Sequence, residues 1–179
     1  MDRPPENLGG GAITLRRWRA ADTDLCLRLV TESLEHLRPW MPWATGDYDR
    51  AAAAGYLQRC EAEWASGTAF QYLILAHGEP AGSGGLMARI DPGGLEIGYW
   101  VHPGYTGRGV ATDAAAALTD AALAMPSIDH VEIHHDELNL ASGRVPAKLG
   151  YTHVDTRLQT RFDRAPGDSG VSRVWRITR

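Results

Sequence analysis

Apolar and polar positions alternate over residues 12–18, AITLRRW, which predicts a strand. Between 20 and 33, Leu25, Leu29 and Val30 recur at helical spacing, and Asp22 is placed to cap that helix. The next stretch, LEHLRPWMPWA (34–44), is broken by Pro39 and Pro42. A second helix is predicted from about Tyr48 to Ser66, followed by strands over 69–77, 79–90 and 94–101 with turn residues between them. The alanine-rich run 109–125 predicts a helix stopped by Pro126, and 128–135 a strand rich in β-branched residues. Residues 139–150 predict a helix that Asn139 can cap and Gly150 can end. Two closing strands, about 151–161 and 171–178, are joined by DRAPGDSG (163–170). The late strand–helix–strand unit requires parallel neighbours. The expected fold is therefore α/β in the α+β sense: a mixed, mostly antiparallel central sheet flanked by helices. Residues 12–179 read as one domain. Residues 1–11, MDRPPENLGGG, read as a flexible tail.

Composition adds bounds. Hydrophobic residues make up 44% and charged residues 22% of the 179, ordinary for a globular chain, and the net charge of −4 gives no reason to expect a nucleic-acid partner. Lys148 is the only lysine among 18 Lys and Arg residues, which with the abundant alanine suggests a GC-rich bacterial source. No apolar run reaches the ~18 residues of a membrane span. The two cysteines, Cys26 and Cys60, lack metal-ligand spacing. They read as reduced thiols of a cytoplasmic protein.

The distinctive stretch is GYWVHPGYTGRGVATD (98–113), where a strand runs through Gly104, Gly107 and Gly109 into a helix. First-turn amides of a helix lack internal partners, and the macrodipole makes that end partly positive. Glycines let an anion approach those amides, while Arg108 adds charge and Thr112 a hydroxyl. A phosphate-bearing ligand fits, as does a plain strand–helix turn. A Walker A loop would need G-K-[ST], where this chain has G-V-A; a dinucleotide fingerprint would need glycine at Thr112.

VHPGYTGRGVA (101–111) resembles the acetyl-coenzyme A loop of the GNAT superfamily of N-acetyltransferases. The family pattern R/Q-x-x-G-x-G/A falls on Thr106, Gly109 and Ala111, with Thr106 departing from the usual Arg or Gln. NLASGRVPAKLGY (139–151) resembles the family's second signature, an Asn and a Ser before a Gly-aromatic pair. The opening with RPWMPW is similar to the RimJ/RimL-like branch, whose members acetylate protein N-terminal amines and, in some cases, other small amines. The resemblance spans about residues 12–178. It implies acetyl-coenzyme A as co-substrate, an amine acceptor, and the homodimers known in the family. It also implies that main-chain groups around Trp100 and Val101 pair with the pantetheine arm. The amides of Tyr105, Thr106, Gly107, Arg108, Gly109, Val110 and Ala111 would hold the pyrophosphate. Asn139 and Ser142 would lie near the sulfur.

Acetyl transfer needs a neutral amine and a proton for the departing thiolate. An α-amine with pKa near 7.7–8.0 costs about 1 to 1.4 kcal/mol to deprotonate at pH 7, a lysine side chain about 4.6 kcal/mol. Glu96 is the candidate base: it shares a strand face with Gly98 and Trp100, opposite Leu95, Ile97, Tyr99 and Val101. Its alternative is an ion pair with an arginine. His134, on the face of Glu132, is a second candidate. Many family members carry a tyrosine four residues before the second-motif glycine; here that residue is Pro146, so Ser142 is the nearest hydroxyl for the sulfur. His134 and His135 point to opposite strand faces and do not suggest a metal site. Trp40, Met41 and Trp43 either wall the acceptor pocket or pack in the core. An α-amine acetyltransferase leads; a small-amine acetyltransferase and a coenzyme A-binding module with little turnover remain as alternatives.

Overall fold

The computed structural model describes residues 2–159 and 164–179. Strands β1 (Asn7–Gly10) and β2 (Ile13–Arg17) form a hairpin at the start of the chain. This corrects the flexible tail expected for 1–11: Leu8 is buried, and the strand is short and glycine-rich, so no alternation announces it. Helix α1 (Thr23–Leu37) runs past Ser33 and stops where Arg38 precedes Pro39. Asp22 does not cap α1 as expected. Its carboxylate accepts the Arg19 N–H at 2.9 Å and pairs with Arg16 at 2.8 Å. Helix α2 (Arg50–Ser66) is capped by Asp49, which accepts the Ala52 N–H at 2.8 Å, so it starts after Tyr48.

Then follow β3 (Ala69–Ala76), β4 (Glu79–Met87), β5 (Gly94–Val101), helix α3 (Val110–Leu123), β6 (His130–Asp136), helix α4 (Leu140–Lys148), β7 (Thr152–Leu158) and β8 (Val171–Thr178). Residues 160 and 161 of the expected β7 and residue 163 of the expected loop lie outside the described residues. Among the described residues, eight strands form one sheet in the order β1-β2-β3-β4-β5-β6-β8-β7, and β5–β6 is the parallel pair among antiparallel ones.

Helix α3 packs its alanines and Leu118 on one face of the sheet, against Leu86, Leu95, Ile97 and Val131. Alanine keeps α3 close to the strands, and each large side chain such as Leu118 contributes about 1.5–3 kcal/mol by leaving water. Helices α1 and α2 cover part of the opposite face, packing Leu29, Val30 and Leu57 against Leu73 of β3, with Trp100 beside them. The two faces of β5 thus look into different layers.

Candidate active site

Strands β5 and β6 pair only from Gly94↔His130 to Ile97↔Ile133. Beyond that point β5 continues to Val101 along β4, and β6 continues to Asp136 along β8. The parallel strands part there, and among the described residues the β6-facing edge of β5 over residues 98–101 has no strand beside it. A cleft of about 1670 Å³ runs through this wedge, larger than the ~300–1,000 Å³ of a typical single-ligand pocket. Its volume suits two ligands at once.

The glycine loop forms one end of the cleft. Past Val101 a 3₁₀ turn (Pro103–Tyr105) occupies the amides that precede the helix: Tyr105 N–H donates to His102 O at 2.9 Å and Thr106 N–H to Pro103 O at 3.4 Å. Anion binding by the Tyr105 and Thr106 amides, which the resemblance implies, is therefore not available in this conformation. From Gly107 on the pattern changes. Gly107 and Gly109 adopt φ of 73° and 81°, which side-chain-bearing residues rarely adopt. Among the described residues, the N–H groups of 107 to 112 have no backbone partner; the first bond of the helix is Asp113 N–H to Gly109 O at 3.0 Å. These free donors, at the positive end of α3, form a concavity for an anion. Arg108, Val110, Ala111 and Thr112 belong to the same segment, with Val110 buried against the sheet.

Helix α4 forms the other wall. Asn139 Oδ1 accepts the Ser142 N–H at 3.1 Å, the cap expected from the sequence. Gly143 lets the helix approach β6: a Cβ there would lie 2.7 Å from the His135 ring. Pro146 sits inside the helix and lacks the N–H that would reach back to the Ser142 carbonyl. The Tyr99 hydroxyl fills that vacancy, donating to Ser142 O at 3.1 Å, and it lies 3.3 Å from Ser142 Oγ. Burial pushes the Tyr99 phenol up to about 12, with the Ser142 hydrogen bond opposing.

A chain of charged groups crosses the sheet where β5 and β6 part. Glu96 faces Glu132 across the parallel pair, and each carboxylate is nearly withdrawn from water. Each has its own arginine. Arg89 grips Glu96 with Nε to Oε2 at 2.8 Å and Nη2 to Oε1 at 2.5 Å. Arg176 does the same to Oε1 of Glu132 through Nε, at 2.8 Å, and Nη2. His134 joins the two sides, with Nε2 at 2.6 Å from Glu132 Oε2 and Nδ1 at 3.7 Å from Glu96 Oε2. An ionised carboxylate only accepts hydrogen bonds, so the bond to Glu132 uses a proton on Nε2, and Nδ1 faces Glu96. Burial alone would raise the Glu132 carboxyl; the bonds from His134 and Arg176 outweigh it and hold the group below its ordinary value. The arginine ion pair named as the alternative for Glu96 is thus present.

Other candidates fall away from this centre. His135 turns to the opposite face of β6, where its Nε2 accepts from Trp175 Nε1 at 3.0 Å. Among the described residues, no group of three His, Cys, Asp or Glu side chains is arranged to hold a metal ion. Cys26 and Cys60 are buried and unpaired by disulfide, and burial pushes the Cys60 thiol up to about 12. Trp40, Met41 and Trp43 line the cleft beyond Glu96. Trp43 is 46% exposed and its ring lies 6.3 Å from Trp100 and 6.2 Å from Tyr48. It is wall, not core.

Sequence reasoning missed Tyr99, Glu132, Arg89 and Arg176 as parts of this arrangement. A signal existed for three of them, Tyr99 and the two arginines. A proline at 146 orphans the carbonyl at 142, which then needs an outside donor. Two carboxylates on one face of adjacent strands need cations.

An acetyltransferase (GNAT) domain model matches residues 12–152. Among solved structures, the chain is similar to RimJ from Mycobacterium smegmatis in complex with CoA-disulfide, at 24% identity and TM-score 0.87 over 99% of this chain and 90% of that one. It is similar to RimL, a ribosomal L7/L12 alpha-N-protein acetyltransferase in complex with coenzyme A, at 21% identity and TM-score 0.86 over 99% and 98%. The microcin C7 self-immunity acetyltransferase MccE, in complex with acetyl-CoA and AMP, aligns at 16% identity and TM-score 0.86 over 95% and 94%. No curated protein sequence matches the chain significantly.

Proposed function

The chain belongs to the GNAT acetyltransferase family, and we propose that it moves the acetyl group of acetyl-coenzyme A onto the α-amine of a peptide or protein N-terminus. The observation that carries this reading is the wedge between β5 and β6: unpaired amides at one end, an open strand edge along its side, and the Glu96–His134 pair at its apex. The residues fit the co-substrate. The amides of 107 to 112 offer donors for its pyrophosphate. The free edge of β5 near Trp100 and Val101 offers main-chain partners for its extended arm. The Ser142 hydroxyl lies on the far wall, near Asn139, where the sulfur would come.

The acceptor enters from the side walled by Trp40, Met41 and Trp43. A cationic amine fits between two acceptors, the Glu96 carboxylate and His134 Nδ1. Arg89 already occupies both oxygens of Glu96, so Glu96 holds the amine and His134 takes its proton. Glu132 stabilises the imidazolium that results, as a carboxylate behind a catalytic histidine does. The neutral nitrogen attacks the thioester carbon. The carbon–sulfur bond then breaks, its electron pair goes to sulfur, and Ser142 stands nearest to donate to it.

An α-amine suits this machinery because about 1 to 1.4 kcal/mol frees it at pH 7, against about 4.6 for lysine. RimL's activity on an α-amino group supports the same acceptor. A small amine is the second reading, favoured by the likeness to MccE and by the aromatic wall at Trp43. Thiol release with a free-N-terminus peptide, compared with the same peptide blocked at its N-terminus, tests the proposal.

A further inference from the structure

We propose that Tyr99 is the proton source for the departing thiolate, acting through the Ser142 hydroxyl, in a relay that Pro146 creates. The inference rests on the acetyl-transfer reading above and deepens it.

In an uninterrupted helix the N–H at 146 would satisfy the carbonyl at 142. Proline removes that donor, and a half-buried carbonyl left without a partner is unfavourable. Tyr99 supplies the missing bond from outside the helix, its hydroxyl 3.1 Å from Ser142 O. The same hydroxyl is 3.3 Å from Ser142 Oγ, so one phenol proton lies within reach of both oxygens. While it rests on the carbonyl, the Ser142 proton is free to turn into the cleft. Tyr99 can take this position because it lies beyond the last paired residues of β5 and β6, on the face that looks toward α4. On the paired stretch β6 would stand in the way.

Serine alone is a poor acid, because an aliphatic hydroxyl holds its proton about as tightly as water does. A phenol near 12 is a far better donor even after burial has raised it. The step balances as follows. The carbon–sulfur bond breaks and sulfur takes the electron pair. The Ser142 proton passes to sulfur, and the Tyr99 proton passes to Ser142 Oγ. The tyrosinate regains a proton from water, His134 returns the first amine proton to solvent, and the second proton that the nitrogen loses as the amide forms also passes to water, so that one proton is released overall. Tyr99 does not touch the sulfur, so it is a positioning residue that feeds Ser142.

The test compares Tyr99→Phe with the wild type, using acetyl-CoA and its selenoester analogue with one peptide acceptor. Selenolate is a much better leaving group than thiolate and departs without a proton. Tyr99→Phe keeps the ring and its packing, and acetyl-CoA should still raise its melting temperature. The expected result is a kcat about 10²-fold lower with the thioester, an unchanged KM for acetyl-CoA, and a loss under about threefold with the selenoester. Ser142→Ala should show the same dependence on donor. Equal losses with both donors would mean that Tyr99 only props α4, and no loss with either would remove it from the mechanism; each outcome overturns the relay alone. A wild-type protein that releases no thiol with any amine overturns the acetyl-transfer reading and the relay with it.

Discussion

His134 Nδ1 faces Glu96 Oε2 across 3.7 Å, at the point where the two parallel strands part. At 3.7 Å the two atoms are not hydrogen-bonded to each other; His134 is held by Glu132 and Glu96 by Arg89. With a neutral imidazole whose proton is on Nε2, as the proposed mechanism requires, they are two acceptors that make a seat for an ammonium.

The two residues should therefore fail differently. His134→Asn should lower kcat about 10²-fold near pH 7, with the loss shrinking toward pH 9 as the α-amine arrives neutral. Glu96→Gln should act mainly as a raised acceptor KM, again less so once the amine is uncharged. Initial rates with a peptide acceptor over pH 6–9 check both. A His134→Asn enzyme with wild-type kcat throughout would hand proton removal to Glu96 or to solvent.

The amide concavity makes its own prediction. Acetyl-CoA should raise the melting temperature of the wild type, because a ligand that binds only the native state adds RT ln(1 + [L]/Kd) to stability. Gly109→Glu should abolish that shift by setting a carboxylate and a side chain at φ 81° beside the free amides. Thermal unfolding with and without acetyl-CoA is the assay. A folded variant with the full shift would place the ligand elsewhere.

Stability should also depend on pH through His135. Burial lowers its pKa from the ordinary 6.5, against the opposing bond to the Asp136 carbonyl, and Trp175 donates to its Nε2. The unfolded chain therefore takes up a proton before the folded one does. Its contribution is complete above about pH 6.5 and is lost as pH falls from there toward the lower folded value. The melting temperature should drop between pH 7 and 5, and His135→Gln should flatten that drop. Equal slopes in the two proteins would contradict the assignment.

A buried bond on the α2 side of the cleft gives a stability prediction. Trp18 Nε1 donates to Ser83 Oγ at 3.0 Å, and Ser83 Oγ donates to Tyr72 O at 3.1 Å, all in the layer between the sheet and α2. Ser83→Ala removes the acceptor and strands the indole N–H, which should cost about 1–3 kcal/mol. Urea unfolding measures it, and a loss below about 0.5 kcal/mol would show that the indole finds another partner.

The glycine loop was legible because its message is local. Strand, glycines and helix follow one another in the chain, and the free amides result from that order alone. The strands of the wedge were legible too, since their apolar runs are strong. Strand β1 was not, because NLGG carries one apolar residue and owes its shape to pairing with β2. Asp22 looked like a helix cap because the rule for caps ignores Arg16, six residues earlier, which claims the same carboxylate. The Arg89–Glu96 and Arg176–Glu132 pairs depend on register across β5, β6 and β8, which periodicity leaves open. Alternation puts Tyr99 on the face of Leu95, Ile97 and Val101, where it packs against the core. Its hydroxyl partner lies 43 residues away on α4.

The central claim is acetyl transfer to an N-terminal α-amine, and one measurement addresses it most directly. The purified protein is incubated with acetyl-CoA and each member of a panel: peptides with free N-termini, the same peptides N-terminally blocked but carrying lysine, and small amines. Thiol release is followed, and fragment mass spectra locate the acetyl group. The account predicts release with the free peptides, the acetyl group on the first residue, and little turnover of the blocked ones at pH 7. Acetylation confined to the small amines would contradict the choice of acceptor, and no thiol release from any member would contradict the account as a whole.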